Sequence, residues 1–564
     1  MTIKIIPATL LADFYKISHR MFYPAGTTEI YSTWIPRSAE YFPIETDYAV
    51  AKGFQMFNKK YLIDFFNKNF FSRPKAEIIA EYEYVIKNTL GGVVDSSHIA
   101  ALHDLGYLPL EIKTLPEGTK TPIKVPTLTI VNTLPEFYWL TNYFETIMSS
   151  ELWLPSNSAT IAAQYRDLLD GWALETIGST DGVEFQGHDF SFRGMQGLDS
   201  AVASGLGHLL SFTGTDNIPA IVAAEVYYGA DLSKELVGTS VPATEHSIMS
   251  SFGRDEVKAF STIIDSVPEG IVSIVSDTYD FWNVLETVLP TLKEKIMTRN
   301  GKVVIRPDSG NPIDIICGTY HYDLVFTSPD SDNPSTLQDF APQIADYFEA
   351  NFVYKLDLGQ RGYLGIKLDE KVFAVHYDYD GTIYKIDVDA AEEVVLTPAQ
   401  KGAIQLLWDT FGGTISKKGY KLLSDKIGLL YGDAITIKRA DEISAKLAHN
   451  GFASTNVVYG MGSFLYSYNT RDSLGYALKS TYAMINGKET FIEKDPKTDD
   501  KNLKKSLTGK VAVVKDENGV LKYVDHLTAA EEKDYPGNLL RTIFKNGKIE
   551  NEITFAEMKK NLHG

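Results

Sequence analysis

Four short apolar segments each end abruptly in charged or glycine residues. β-Branched and other apolar residues in runs of this length predict buried strands. The segments are 303–305 before Arg306 and Asp308, 271–276 before Asp277, 427–431 before Gly432 and Asp433, and 456–459 before the GMGS loop at 460–463. An α/β barrel carries its active site where its parallel strands end. We therefore expect an α/β barrel with one site built from several strand ends.

Length and charge narrow the class of protein. The chain has 564 residues, enough for two or more domains, and a net charge of −19. This acidity argues against a sequence-independent nucleic-acid binder, which needs a broad basic surface. It does not exclude a small anionic substrate, because a pocket can be locally basic on an acidic protein. The single cysteine, Cys317, cannot form an intrachain disulfide and favours a reducing compartment.

The N-terminal residues give no sign of export. Their short apolar stretch is broken by Pro7 and closed by Asp13, and it lacks the core and cleavage site of a signal peptide. No apolar run approaches the roughly 20 residues that a membrane helix needs. We expect a cytoplasmic protein with no membrane partner.

Three loops contain chemistry-bearing residues, although each is weak evidence alone. The sequence GHDFSFRG at 187–194 is either a loop with incidental charges or an aromatic platform beside Arg193, which could bind a phosphate. His246, at the end of 237–247, is a general acid, a phosphate ligand or a surface residue. Gly462 and Ser463 follow a strand, where backbone N–H groups can hold a phosphate.

The chain lacks several well-known motifs. It has no flanked GxGxxG, no Walker A sequence, no HExxH, no zinc spacing and no GxSxG elbow. Dinucleotide oxidoreductases, P-loop ATPases, zinc hydrolases and serine hydrolases are therefore not first choices. The remaining pattern predicts a barrel enzyme that handles a multiply phosphorylated small molecule and an aromatic ring.

Residues 318–398 interrupt this pattern. They are rich in Asp, Tyr, Gly and Pro, and two strand patterns flank Asp380 and Gly381, which is a hairpin signal. We expect an inserted small β-rich module at the surface, between a barrel strand and its following helix.

At these residues the chain resembles the nicotinamide phosphoribosyltransferases of the type II phosphoribosyltransferase family. The matching stretches are LLADFYKISH, PEFYWLTNYFET, HDFSFRG, GTD at 214–216, SVPATEHS, SIVSDTYD, IRPDSGNPID, YGD at 431–433, YGMGS, TRD at 470–472 and FKNGK at 544–548. They occur in one order along most of the chain outside the insert. Chance similarity over so many stretches is very improbable.

The resemblance implies a fold and an assembly. The fold is α/β: an irregular α/β barrel of the type II phosphoribosyltransferase kind, a second α/β domain and the inserted β-rich module. The barrel domain should cover 151–472, with the insert at 318–398, and the second domain should combine 1–150 with 473–564. A homodimer with two shared active sites is implied, with nicotinamide, phosphoribosyl pyrophosphate and ATP as small-molecule partners.

For the base, the resemblance implies three residues. Phe190 should stack on one face of nicotinamide, and Tyr15 of the partner subunit should cover the other. Asp216 should accept a hydrogen bond from the carboxamide nitrogen. A nicotinate carboxylate would instead face a like charge.

For the phosphorylated substrate, the resemblance implies a larger set. Asp308, Gly432 and Asp433 should position the ribose, and Arg193 and Arg306 should bind phosphate or pyrophosphate oxygens. The remaining phosphate-side residues are Arg37, Gly462, Ser463, Arg471 (reaching in from the partner), Lys479 and Lys494. Other late lysines are expected to form a solvated face.

The resemblance also implies chemistry. His246 should be phosphorylated by ATP, an activating co-substrate, with Asp277 as its supporting carboxylate; with Arg306 and Asp308 these form the expected catalytic set. Mg²⁺ is expected mainly through pyrophosphate, without a protein metal site. The ring nitrogen attacks the sugar through an oxocarbenium-like state as pyrophosphate leaves.

The sequence departs from the family pattern at two places, and two alternative functions remain. The glycine loop has Ser463 and Phe464 where the family often has further glycines, and the insert is absent from the vertebrate form. A nicotinate phosphoribosyltransferase is one alternative function, and a non-catalytic signalling protein on the same scaffold is the other. Asp216 argues against the first, and the full set of charged site residues argues against the second.

Overall fold

The computed structural model describes residues 3–91, 94–319, 322–324, 354–357, 362–368, 371–379, 384–386, 388–432, 435–494 and 506–564. These residues form two compact units. Unit 1 contains 1–168, 181–240 and 460–564, and unit 2 contains 169–180 and 241–459. The units divide the chain at residues other than those predicted. A contact unit need not coincide with a functional domain, so the predicted domains stay a prediction.

The strands are β1 (Thr27–Ile35), β2 (Tyr48–Val50), β3 (Leu110–Thr114), β4 (Lys120–Pro122), β5 (Leu128–Asn132), β6 (Gly187–Asp189), β7 (Gly214–Thr215), β8 (Glu269–Val275), β9 (Asn300–Arg306), β10 (Tyr322–Leu324), β11 (Tyr354–Asp357), β12 (Gly362–Leu368), β13 (Lys371–Tyr379), β14 (Tyr384–Ile386), β15 (Glu392–Val394), β16 (Gly413–Ile415), β17 (Lys421–Leu423), β18 (Ile427–Tyr431), β19 (Val457–Met461), β20 (Ala477–Ile485), β21 (Lys488–Phe491), β22 (Lys510–Lys515), β23 (Leu521–Leu527), β24 (Arg541–Lys545) and β25 (Lys548–Ile549).

The α-helices are α1 (Lys16–Phe22), α2 (Phe54–Phe57), α3 (Lys75–Leu90), α4 (Ser97–Leu105), α5 (Leu140–Tyr143), α6 (Glu145–Glu151), α7 (Trp153–Thr176), α8 (Leu198–His208), α9 (Ile218–Tyr228), α10 (His246–Ser250), α11 (Glu256–Ser266), α12 (Phe281–Asn283), α13 (Leu289–Thr291), α14 (Lys293–Thr298), α15 (Pro312–Cys317), α16 (Pro398–Lys401), α17 (Ala403–Phe411), α18 (Ile437–His449), α19 (Ser463–Ser467), α20 (Ala529–Lys533) and α21 (Phe555–His563). Among the described helices, none has the length and apolar character to cross a bilayer.

Unit 1 is built on an antiparallel sheet with the strand order β21-β20-β1-β5-β3-β24-β25. Strands from both ends of the chain therefore share one sheet, and β1 pairs with β20 over nearly its whole length. A separate apolar core includes Leu206 of α8, Leu210 just after α8, Ala224 of α9, and Phe555 and Leu562 of α21. Side-chain caps begin two of these helices: Asn217 accepts from the Ala220 N–H, and Thr554 forms a capping box with Glu557.

Unit 2 contains the four predicted strand-end segments in one parallel arrangement. β8 pairs with β9, β9 with β18, and β18 with β19. Their inward residues are buried, including Ile274, Val303, Ile305, Leu429 and Tyr459. Because parallel neighbours end at one edge, the residues after β8, β9 and β18 lie close together.

The described part of 318–398 is β-rich, as predicted. Its order is β10-β11-β12-β13-β14, with β15 also pairing with β13. β13 and β14 pair antiparallel, which confirms the predicted hairpin, although its turn at 380–383 lies outside the described residues. The expected position between a barrel strand and its following helix is wrong, because helix α15 already follows β9 before residue 318. The Asn311 cap and Pro312 at the first helical position favour the start of helix α15 directly before the insert.

Candidate active site

The first cluster of site residues lies in unit 2 and is called the His246 cluster: His246, Asp277, Arg306 and Asp308. Asp277 accepts hydrogen bonds at Oδ2 from the Asp308 N–H at 2.9 Å and the Ser309 hydroxyl at 2.6 Å. The side chain of Asp277 is only 5% exposed. Asp277 thus holds the turn that follows β9 in place.

His246 lies beside both carboxylates of this cluster. Its Nε2 is 3.9 Å from Asp277 Oδ1 and 3.9 Å from Asp308 Oδ2, while Nδ1 is 3.1 Å from the Thr278 hydroxyl. Both distances from Nε2 to the carboxylate oxygens are too long for hydrogen bonds, so neither carboxylate occupies the hydrogen-bonding position at Nε2. The His246 side chain is half exposed, so a phosphoryl donor in solution can reach it.

Arg306 is anchored on both sides of its guanidinium. Nη2 donates to the Thr244 carbonyl at 2.9 Å, and Nε lies 3.7 Å from Asp308 Oδ1. Its side chain is 15% exposed. Thr244 belongs to the SVPATEHS stretch, so one loop orients both Arg306 and His246.

Gly432 completes this cluster, whereas Asp433 lies outside the described residues. A Cβ atom at Gly432 would meet Asp308 Oδ1 at 2.2 Å. A side chain at position 432 would therefore displace the Asp308 carboxylate from its present position.

The second cluster lies in unit 1 and is called the Phe190 cluster: His188, Phe190, Asp216 and Ser240. His188 Nε2 is 2.9 Å from Asp216 Oδ1, and the Ser240 hydroxyl donates to the same oxygen at 2.5 Å. The rings of His188 and Phe190 are 4.7 Å apart. The family resemblance implied roles for Phe190 and Asp216 but none for His188 or Ser240. These last two residues lie in stretches that carry the resemblance, HDFSFRG and SVPATEHS.

The HDFSFRG stretch forms a short strand, β6, and then a 3₁₀ turn at Phe192–Gly194. The Phe190 N–H donates to the Met461 carbonyl at 2.9 Å, which ties this turn to the glycine loop. A Cβ at Gly194 would meet Ser463 Oγ at 2.1 Å. The Ser463 side chain thus packs against Gly194, and Arg193 is exposed beside it. Gly462 is the N-cap of the short helix α19.

A third group in unit 1, the lysine cluster, consists of Lys16, Arg37, Lys479, Lys494 and Glu145. Glu145 pairs with Lys16 and lies 3.8 Å from Lys479 Nζ. Burial lowers the pKa of Lys479; Arg37, Lys494 and Lys16 lower it further, and Glu145 opposes them. Such a concentration of cations suits a phosphate. No sequence pattern pointed to Glu145, although it lies in PEFYWLTNYFET, one of the stretches that carry the family resemblance.

Tyr15 and Arg471 are exposed on this chain. The Tyr15 ring is 55% exposed and makes an edge contact with His19 at 4.9 Å. Arg471 donates to Asp472 Oδ1 through Nη2 at 2.9 Å and Nε at 3.2 Å. Both side chains are therefore accessible at the surface of this chain.

Comparison with known proteins decides the family. The nicotinate phosphoribosyltransferase (NAPRTase) family pattern matches residues 185–339 and 381–548. The chain is also 40% identical over 574 residues to the nicotinamide phosphoribosyltransferase of Acinetobacter baylyi, covering 100% of this chain and 98% of that relative. The chain belongs to the NAPRTase family.

Two further comparisons agree with membership of the NAPRTase family. The nicotinamide phosphoribosyltransferase of Mycoplasma genitalium is 30% identical over 519 residues, or 89% of this chain and 94% of that relative. The solved structure of human nicotinic acid phosphoribosyltransferase matches with a TM-score of 0.50 at 15% identity, over 98% of this chain and 93% of that chain. The latter shows the fold alone. The predicted fold class is thereby confirmed.

Proposed function

We propose that this NAPRTase-family chain transfers the phosphoribosyl group of phosphoribosyl pyrophosphate to nicotinamide. The products are nicotinamide mononucleotide and pyrophosphate, a step of NAD salvage. The observation that carries the proposal is the Phe190 cluster, in which His188 contacts both an aromatic ring and the Asp216 carboxylate. The relatives at 40% and 30% identity are named for this activity.

The Phe190 cluster suits an amide better than an acid. The Phe190 ring offers a face for stacking, worth about 0.5–1.5 kcal/mol beyond the area buried. An ionised carboxylate is an acceptor only, so Asp216 can take a hydrogen bond from the carboxamide NH₂. A nicotinate carboxylate in the same place would repel Asp216.

The lysine cluster and the His246 cluster supply the groups for the phosphorylated substrate. We assign the 5′-phosphate region to Arg37, Lys479, Lys494, Gly462, Ser463 and the partner's Arg471. Arg193 and Arg306 bind pyrophosphate oxygens, and Asp308 with Gly432 and Asp433 positions the ribose. Cationic side chains of this kind stabilise the negative charge that develops on the departing pyrophosphate.

Mg²⁺ belongs to the proposal because pyrophosphate leaves with high charge. The described residues hold no group of three His, Cys, Asp or Glu side chains arranged for a metal. Asp277 Oδ1 is buried and accepts no hydrogen bond, so Asp277 and Asp308 fit an ion held mainly by substrate phosphates. When bound, Mg²⁺ would offset the charge of the leaving group. Asp277 also keeps the Asp308 backbone in position for the ribose.

ATP is proposed as an activating co-substrate that phosphorylates His246. The exposed imidazole lies near two carboxylates, which supports this role. A neighbouring carboxylate stabilises the positive charge that develops on the imidazole when one of its nitrogens bonds to phosphorus. In this step a ring nitrogen of His246 attacks the γ-phosphorus of ATP and ADP leaves. The phosphohistidine then assists pyrophosphate chemistry, and no covalent bond forms between enzyme and ribose.

A homodimer is proposed from exposed apolar surface. On helix α9 the side chains of Ile218, Val222 and Val226 are 69%, 49% and 59% exposed and share one face at a spacing of four residues. An apolar stripe of this kind is typical of a protein interface. Tyr15 of one protomer would then cover the base held by its partner. We place the reaction in the cytoplasm, where a protein with one cysteine needs no disulfide.

The test is an assay of the purified full-length chain with phosphoribosyl pyrophosphate, Mg²⁺ and either nicotinamide or nicotinate. We expect nicotinamide mononucleotide, and far less product from nicotinate. Preferential formation of nicotinate mononucleotide would replace the proposal with the nicotinate enzyme. The absence of either product from folded protein would favour the non-catalytic alternative.

A further inference from the structure

His188 connects the two side chains proposed to bind the base. Its Nε2 lies 2.9 Å from Asp216 Oδ1, and its ring centroid lies 4.7 Å from that of Phe190, with the planes inclined by 39°. Asp216 Oδ1 also accepts a hydrogen bond from Ser240 at 2.5 Å. One imidazole therefore contacts both the stacking ring and the acceptor for the carboxamide.

The position of the imidazole is determined by the backbone around it. His188 is paired with Gly214 across the parallel strands β6 and β7. A Cβ at Gly214 would be 2.9 Å from His188 Nδ1 and 2.9 Å from the Gly187 carbonyl oxygen. The glycine therefore leaves the space that the imidazole fills, and the His188 side chain is only 11% exposed.

Asp216 is held from the same strand pair. Its N–H donates to the Asp189 carbonyl at 3.0 Å, directly beyond His188. The backbone positions of donor and acceptor are thus coupled through β6 and β7. Because the backbone is held at both His188 and Asp216, the hydrogen bond between their side chains limits the rotamers that the Asp216 carboxylate can adopt.

We infer that His188 is a positioning residue for base recognition: with Ser240 it orients the Asp216 carboxylate toward the carboxamide of nicotinamide. This inference rests on the proposed function. The imidazole donates its Nε2–H to Asp216 Oδ1, and its ring keeps Phe190 in place for stacking. His188 acts through Asp216 and Phe190 and does not itself touch the reacting atoms.

The test compares two substitutions of similar size, His188→Gln and His188→Met. Glutamine retains an N–H donor at the end of its side chain, whereas methionine has none. With the methionine variant we expect the KM for nicotinamide to rise about tenfold, the size expected for a lost hydrogen bond to a charged group. Its kcat and its KM for phosphoribosyl pyrophosphate should change little. The glutamine variant should recover most of the affinity for nicotinamide.

A double-mutant cycle shows whether His188 acts through Asp216. In the Asp216→Asn background, His188→Met should add little further loss, since the group that it positions has already been altered. The inference would be overturned if the rise in the nicotinamide KM of the double variant equalled the product of the rises in the two single variants. It would also be overturned by an unchanged nicotinamide KM in His188→Met. If the methionine variant does not fold, His188→Asn replaces it, because the shorter amide cannot reach Asp216 as glutamine can.

The same data separate this inference from the proposed function. A wild-type chain without nicotinamide phosphoribosyl transfer overturns both the proposed function and the inference. If the wild-type chain is active and the His188 variants have the wild-type KM for nicotinamide, only the positioning role is overturned.

Discussion

Gly432 lies so close to Asp308 that a Cβ atom added to it would be 2.2 Å from the Asp308 Oδ1 atom. The two residues follow neighbouring parallel strands, β18 and β9, and the Gly432 N–H donates to the Pro307 carbonyl at 3.3 Å. The carboxylate of Asp308 therefore occupies the space that any side chain at 432 would take. Its position is set by a neighbour that is distant in sequence.

We predict that Gly432→Ala displaces the Asp308 carboxylate and lowers kcat/KM for phosphoribosyl pyrophosphate by about a hundredfold, the cost of misplacing a reacting group by about 1 Å. Steady-state kinetics measures this change. Gly171→Ala is the control, because that glycine lies within helix α7 with no atom within 4 Å of its added Cβ. Equal kinetics for the two variants would contradict the role of Gly432.

Asp216→Asn should change the choice of base. Because asparagine lacks the negative charge, we expect kcat/KM for nicotinamide to fall about tenfold. The ratio of kcat/KM for nicotinamide to kcat/KM for nicotinate should also become smaller. Parallel assays with both bases measure the ratio. Unchanged values for both bases would exclude Asp216 from base recognition.

His246→Ala should abolish ATP hydrolysis and ATP stimulation while leaving residual transfer, since the imidazole assists and forms no bond to ribose. Thr278→Val removes the hydroxyl that lies 3.1 Å from His246 Nδ1 and should weaken the same ATP effects more mildly. Phosphohistidine is measured after incubation with labelled ATP. Parent-level ATP hydrolysis by the alanine variant would show that another residue is phosphorylated.

Glu145→Gln should make binding of phosphoribosyl pyrophosphate more sensitive to alkaline pH. Burial already lowers the pKa of Lys479, and Glu145 is the acid that raises it. Without this carboxylate the Lys479 ammonium loses its proton at a lower pH, so the rise in KM with pH should begin earlier. Glu552→Gln, which removes the partner of Lys59, is the matched control. Superimposable pH profiles for the wild type and Glu145→Gln would refute this coupling.

His98 should make the protein sensitive to mild acid. Burial, with a smaller contribution from Arg20, lowers the pKa of His98 to about 4. The unfolded chain has the ordinary His pKa near 6.5, so it binds the proton first as pH falls from 6.5 to 4. Buried, neutral His98 therefore lowers the free energy of unfolding only below pH 6.5. This free energy declines by about 3 kcal/mol as the pH falls from 6.5 to 4.

The measurement for His98 is the thermal unfolding midpoint between pH 7.5 and 4.5. The His98 ring makes an edge contact with Trp139 at 4.8 Å, and His98→Phe retains an aromatic ring there. The Tm of this variant should fall less with acid than that of the wild type. Parallel declines would assign the acid sensitivity to other groups.

Local patterns were sufficient for much of the fold. Strands β8, β9, β18 and β19 follow from apolar runs of strand length, and the hairpin of β13 and β14 from its turn residues. Tertiary contacts accompany a break that local pattern does not show: the aromatic stretch after Pro135 forms helices α5 and α6, divided at Phe144, where ψ is −6° and the ring packs 5.4 Å from Phe66. Helical periodicity alone contains no information about such a break.

By itself, the sequence determined the fold class, the family resemblance and the residue types of the candidate site, because these depend on local patterns and on motifs read in order. Tertiary structure alone decided which side chains meet. His188 in strand β6 meets Asp216, which follows β7, and Asp216 meets Ser240, which follows helix α9. Glu145 reaches Lys16 and Lys479 from far along the chain. Such contacts depend on strand register and on the space left by glycines such as Gly214 and Gly432. Distances of a few ångströms between remote residues are set by the packed backbone, which no local pattern specifies.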